Sequence, residues 1–239
     1  MKDSTFTEHI SSRAGSFLGN YSSSPDFRQR YRVWLSFLDK YHSEAKFAYD
    51  IGCGPGLFSF YLSEKGLKVE GWDGSEGMIE LCEKEKAKRG DKSTQFRKLY
   101  IPISVTDTME KADLVISSSV IEYVPDYLGV VKMFNELLKP NGILLVSFPN
   151  KKSWYRTFEK IAFRISGKPA YYKYVHHLWS LDQARKIIEA NGFEFIENEF
   201  YANQSSFAKC VNAVAGKQSS SNLVITAFRK SNKVLSQRS

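Results

Sequence analysis

Between Asp26 and Tyr41 the apolar positions Phe27, Tyr31, Trp34, Leu35 and Leu38 recur at helical spacing, which predicts an amphipathic helix. Short strand-like runs then follow at 46–51, 67–72, 94–99, 113–118 and 143–148. Helical patterns at 57–65, 75–89 and 128–138 lie between them, the last closed by Lys139-Pro140-Asn141-Gly142. Alternation of this kind predicts a parallel sheet with helices on both faces. The pattern then changes. Ser180 and Gln183 read as a capping box opening a helix, and Asn191-Gly192 closes it. Two β-rich runs, 193–200 and 222–229, have no strong helical pattern between them, so they are expected to pair antiparallel. The chain shows no internal repeat. The expected fold is α/β, a doubly wound seven-stranded, mostly parallel sheet with an antiparallel C-terminal strand. Its expected divisions are an N-terminal helical or lid segment (1–44), a main domain (45–230) and a disordered tail (231–239). Residues 1–24, rich in Ser and Gly, are expected to pack loosely.

Composition narrows this picture. The 239 residues suit one domain, and 42% hydrophobic with 14% aromatic content supports a sizeable core. The polar start MKDSTFTEHISS argues against a secretory signal, and no apolar run nears the roughly 20 residues of a membrane span. Cys53, Cys82 and Cys210 are too far apart for a disulfide framework or zinc pattern, so a reducing cytoplasm is expected. The net charge of +8 is uneven: 151–178 holds seven Lys/Arg against one acid, Glu159, and so carries +6 of it. That basic, aromatic stretch reads as an insertion in the main domain.

The candidate chemistry centres on Tyr49-Asp-Ile-Gly-Cys-Gly-Pro-Gly56. A glycine-rich turn between a parallel strand and a helix lies at the carboxyl edge of the sheet, where such folds bind ligands. Glycine lets the backbone approach the ligand, and the helix N-terminus offers unpaired N–H groups. Gly52, Gly54 and Gly56 read G-x-G-x-G, with Leu57 where a dinucleotide fingerprint has its third glycine. Asp50 just before the loop suits a cationic ligand better than a pyrophosphate. Asp73, at the end of the adjacent strand, is placed to bind both hydroxyls of a ribose. Glycine loop, ribose carboxylate and a charge for an ammonium group together describe S-adenosylmethionine.

With these pieces in view, the chain resembles the class I S-adenosylmethionine-dependent methyltransferases. The likeness rests on YDIGCGPG, VEGWDGSEGMIEL, ADLVISSSVIEYVPD and LLKPNGILLVSFPN in order. Within that superfamily it is most similar to the ubiquinone-pathway O-methyltransferases, through NKKSWYRTFEKIAF after the fifth strand. The resemblance implies a Rossmann-like methyltransferase fold. It implies a cofactor set of Asp50, Gly52, Cys53, Gly54, Gly56, Asp73, Gly74, Ser75, Met78, Ser118 and Ser119. By spacing it also implies that Arg32 reaches the cofactor carboxylate.

One departure bears on mechanism. Family members that methylate catechol-like quinols can show Glu-x-x-Glu-His after the fourth strand, whereas this chain has Ser119-Val-Ile-Glu122-Tyr123. One carboxylate does not make a magnesium site, so no metal is expected. The catalytic candidates are His176, His177, Tyr123 and Glu122, each weighed against a packing role. In 153–165 the residues Trp154, Phe158, Ile161 and Ile165 form one stripe, with Arg156, Lys160 and Arg164 on the far side. That helix reads either as a cover for the site or as an element resting on an anionic membrane. The function expected is methylation of a small, hydrophobic or aromatic molecule, with O-methylation favoured. RNA modification is the rival, disfavoured by Ser117-Ser118-Ser119 where base-amine methylases carry an Asn/Asp-Pro-Pro-aromatic turn. A non-catalytic cofactor-binding protein is the third reading.

Overall fold

A computed structural model describes residues 4–11, 24–204 and 206–232. The expectations for 1–3, 12–23 and 233–239 lie outside the described residues. Helix α1 (Ser4–Ser11) precedes α2 (Pro25–Tyr41). Then come β1 (Phe47–Ile51), α3 (Leu57–Glu64), β2 (Lys68–Asp73), α4 (Glu76–Arg89), β3 (Thr94–Lys98) and β4 (Ala112–Ser118). A 3-10 turn (Ile121–Tyr123) leads into α5 (Tyr127–Leu137), β5 (Leu138–Pro149) and α6 (Trp154–Ser166). A second 3-10 turn (Ala170–Tyr174), α7 (Leu181–Glu189), β6 (Phe193–Tyr201), α8 (Ser206–Ser220) and β7 (Leu223–Lys230) complete it.

The seven strands form one sheet in the order β3-β2-β1-β4-β5-β7-β6. Pairings from β3 through β5 are parallel, and β7 runs antiparallel between β5 and β6. The chain winds outward from β1 to β3, then restarts at β4 on the other side of β1. That reversal opens a crevice at the carboxyl ends of β1 and β4.

Strand alternation assigns each side chain to one of two cores. Phe47, Tyr49 and Ile51 face the layer formed with Val130, Val131 and Phe134 of α5 and with Ala184 and Ile188 of α7. Ala48, Leu114 and Ile116 face Trp34, Phe37 and Leu38 of α2 and Phe58 and Leu62 of α3. The Ser180 hydroxyl accepts from the Gln183 amide and the Gln183 side chain returns the bond, so the capping box opens α7.

Three expectations are corrected. Residues 4–11 are helical, in keeping with the expected helical segment, but rather than packing loosely α1 lies against α4, its Ser11 hydroxyl 2.6 Å from that of Ser75. Helix α5 does end before Lys139–Gly142, but strand β5 begins already at Leu138 rather than at 143, with Asn141 at φ 63 and a register irregularity opposite Ala112–Leu114. Helix α8 stands between β6 and β7, which still pair antiparallel. It escaped the periodicity because only Ala208 and Ser220 are buried among its described side chains, leaving no apolar stripe to read.

Candidate active site

The loop after β1 is pinned by backbone donors. The amides of Gly52 and Cys53 both donate to the Trp72 carbonyl of β2, at 2.7 and 3.0 Å. Gly52 sits at φ +74, and a Cβ there would lie 2.1 Å from Val120 Cγ2. Gly54, at φ +53, faces open space instead, with nothing within 4 Å of a built Cβ. Its amide donates to Asp73 Oδ2 at 2.9 Å, and the Ser75 amide donates to Oδ1 at 2.8 Å. Each oxygen of Asp73 thus keeps acceptor capacity for one further donor, which is what a pair of vicinal hydroxyls requires. Burial pushes the Asp73 carboxyl up, and the Ser75 and Gly54 amides pull it back. Ser75 also caps α4, accepting from Met78 N at 3.3 Å. Cys53 and Cys82 are buried free thiols, and burial together with the neighbouring Cys82 pushes the Cys53 thiol well up.

Two sequence assignments move. Asp50 does not line the crevice: as the alternate residue to Ile51 it points toward α3, where Ser59 Oγ donates to its Oδ2 at 2.6 Å. Burial pushes its carboxyl up to about 7, so it supports the loop from beneath. Arg32 is exposed, whereas Arg30 lines the crevice and donates from Nη2 to Ser118 O and Oγ at 3.0 and 2.6 Å. The reason is helical phase: two residues turn about 200°, which puts Arg32 opposite the stripe that Arg30 shares with Trp34.

The opposite wall begins after β4. Ser119 holds φ 58, a region non-glycine residues seldom occupy, at a cost on the order of 1–3 kcal/mol. Its amide donates to the Ser147 carbonyl at 3.0 Å, and its Oγ has no partner among the described residues. Glu122 is 2% exposed on the cavity wall, and its Oε2 likewise has no partner among the described residues. Burial pushes its carboxyl up to about 7, although Arg30 and Arg156 oppose the shift. Tyr123 beside it is held well above its ordinary value, first by burial and then by the charge of Glu122.

Helix α6 closes this side, and its orientation corrects the sequence reading of Arg156. Arg156 points inward, with Nη1 2.5 Å from Glu159 Oε2 and 3.2 Å from the Tyr171 hydroxyl. Tyr171 in turn donates to Glu159 Oε1. Sequence reasoning missed this network, although a lone acid three residues after an arginine in a basic helix was the available signal. Trp154, Tyr155, Phe158 and Ile161 are each about half exposed, and Ile165 is 82% exposed. The apolar stripe faces outward.

Together these walls enclose a cavity of about 570 Å³, within the range of small-molecule sites. Of the residues singled out from sequence, Gly52, Cys53, Gly54, Asp73, Gly74, Ser75, Met78, Ser118, Ser119, Glu122 and Tyr123 line it. Gly56 does not; it caps α3 at φ +76 against Phe60 and Cys82. Neither histidine lines it. Their amides donate to the Glu122 carbonyl, at 2.8 Å for His176 and 3.3 Å for His177. The His177 ring packs on Tyr127 and Trp179 with Nε2 3.1 Å from the Pro125 carbonyl, and His176 is exposed. Among the described residues no three His, Cys, Asp or Glu group to hold a metal, and no helix is long and apolar enough to cross a membrane.

The profile of a methyltransferase domain matches residues 27–198, from α2 into β6. The chain belongs to the methyltransferase domain family. Relatives in this family include a ubiquinone biosynthesis O-methyltransferase of Coxiella burnetii, 27% identical over 66% of this chain and 71% of that protein. Another, of Leptothrix cholodnii, is 26% identical over 43% of each chain, so the match spans less than half of that relative's length. Among solved structures, the N-methyltransferase NodS from Bradyrhizobium japonicum is similar with a TM-score of 0.67. It is 15% identical, the match covering 94% of this chain and 98% of that one, and it shares the methyltransferase fold.

Proposed function

We propose that the protein is an S-adenosylmethionine-dependent methyltransferase that O-methylates a small hydrophobic or aromatic acceptor. The observation that carries this reading is the Asp73 carboxylate, set by the Gly54 and Ser75 amides beside an open glycine loop. Gly52, Gly54, Asp73, Ser75 and Met78 would hold the cofactor, with Arg30 rather than Arg32 toward its carboxylate. When bound, the cofactor's sulfonium supplies an electrophilic methyl group. The chain's part is to hold the acceptor in line and keep water away, which accounts for much of such a rate enhancement. The names of the relatives favour an oxygen acceptor, and the partly apolar walls (Leu99, Ile101, Val175) favour a hydrophobic one. With one carboxylate among Ser119, Glu122 and Tyr123, the reaction should survive EDTA.

Transfer of tritium from labelled cofactor into lipid extract, small-metabolite extract or total RNA tests the reading. Label in either of the first two supports it. Label confined to RNA favours the nucleic-acid reading, and no transfer despite binding favours a non-catalytic protein.

The outward stripe of α6 supports a place of action at an anionic membrane surface on the cytoplasmic side. Lys151, Lys160 and Arg164 are exposed on or just before the same helix, flanking the stripe rather than lying in it, and each lysine or arginine near an anionic surface is worth about 1 kcal/mol. Phe158→Ser with Ile165→Ser, and separately Lys160→Glu with Arg164→Glu, should abolish cosedimentation with phosphatidylglycerol vesicles while cofactor binding stays intact. Unchanged cosedimentation of both variants would reduce α6 to a cover for the site. Arg156 is unsuited to this test because its charge is spent inward.

A further inference from the structure

We propose that Glu122 is the proton acceptor of the methyl transfer, and that it selects a neutral, proton-bearing hydroxyl such as a phenol over anionic acceptors or ethers. This rests on the methyltransferase reading and specifies the acceptor half of the same cavity. The Glu122 side chain lines the cavity but is walled in by protein, and its buried Oε2 has no partner among the described residues. A buried carboxyl oxygen left without a donor is costly, and a ligand O–H is the group that would complete it. The two histidines do not reach the cavity. His177 holds the Pro125 carbonyl and packs on two rings, His176 points to solvent, and both meet Glu122 only through their amides.

The groups facing Glu122 are Arg30 from α2, Arg156 from α6 and Tyr123 on its own turn, with Tyr171 behind Tyr123. Arg156 is committed to Glu159 and Tyr171, so its pull on Glu122 is partly cancelled. A carboxyl titrating near neutrality is matched to take a proton as the transfer proceeds. In the step itself the acceptor oxygen bonds to the methyl carbon, and the carbon–sulfur bond breaks to leave a neutral thioether. The hydroxyl proton passes to Glu122 Oε2. An anionic acceptor would be repelled by the same carboxylate, and an ether would leave Oε2 unpaired.

The test uses the full chain loaded with S-adenosylhomocysteine, with 2-allylphenol and its methyl ether as probes. Wild type should bind the phenol roughly 5- to 10-fold more tightly at about pH 8.5 than at about pH 5.5, as the carboxylate form accepts the stronger bond. The ether should show no such slope, and Glu122→Gln should bind both probes without it. With S-adenosylmethionine, Glu122→Gln should methylate 2-allylphenol about 10²- to 10⁴-fold more slowly, as expected for loss of a general base. Its deficit should shrink for 2-allyl-4-nitrophenol, which is already ionised at the higher pH. A flat wild-type profile, a slope kept in Glu122→Gln, or an equal deficit for both phenols would overturn the proposal. Calorimetry of S-adenosylhomocysteine on the same samples reads the cofactor site separately. Its failure in wild type would overturn the underlying reading, and this proposal with it.

Discussion

The two walls of the cavity are built by different means. On the wall of the glycine loop, the polar groups that matter are backbone amides. Trp72, Asp73 and the amides of 52–54 and Ser75 hold one another where the ends of the neighbouring strands β1 and β2 meet. On the wall of α6, the contacts are between side chains brought together from the 3-10 turns and α6, with Arg156, Glu159 and Tyr171 at their centre. The first wall satisfies its own polar groups and leaves acceptor capacity for a ligand. The second leaves Glu122 Oε2 and Arg156 Nε without partners among the described residues. The difference teaches that one wall is fixed by local backbone groups, whereas the other depends on side chains that only the fold brings together.

The sharpest way to break this comparison is to fill the two glycines separately. Gly52→Val forces a Cβ to 2.1 Å from Val120 at a positive φ, so both melting temperature and cofactor binding should collapse. Gly54→Val has room, so it should lose cofactor binding by more than about 100-fold for a stability cost of only about 1–2 kcal/mol. Equal stability losses in the two variants would contradict the geometry of the loop.

On the other wall, Arg156→Met leaves Glu159 buried without its cation and should cost about 3–5 kcal/mol in denaturant unfolding. Adding Glu159→Met should recover most of that loss, because two apolar groups can replace a buried pair. A single variant as stable as wild type would mean that the ion pair does not anchor α6.

A smaller effect sharpens the electrostatics. The Glu122 carboxyl is raised from 4.5 to about 7 in the folded protein, so ionising it opposes folding. Its contribution to stability is fully present below about pH 4.5 and is lost as the pH rises toward 7. Glu122→Gln cannot ionise and should therefore gain on the order of 1–3 kcal/mol relative to wild type between about pH 5 and pH 8. Parallel stability profiles across that range would show that Glu122 is solvated.

What the sequence disclosed divides along the same line. The strand–helix alternation and the loop with Asp73 were legible because each is a local matter of period, glycine and turn chemistry. Arg30 was missed because spacing alone nominated Arg32, and only the phase set by Trp34 and Leu38 chooses between them. Asp50 was read as facing the ligand because a strand-end carboxylate is visible in sequence, while the side of the sheet it faces is not. The stripe of α6 was found correctly, but a periodicity does not say which face turns inward. That is decided by Glu159 and Tyr171, whose meeting depends on the fold. Helix α8 had no stripe to find.

The central claim is that Asp73 and the glycine loop form the S-adenosylmethionine site, and calorimetry on Asp73→Ala tests it most directly. Wild type should bind one equivalent, and the variant should bind roughly 10- to 150-fold more weakly, the loss of charge-assisted bonds worth about 1.5–3 kcal/mol. Its melting temperature without ligand should show that the fold persists. Unchanged affinity in a folded Asp73→Ala protein would contradict the account.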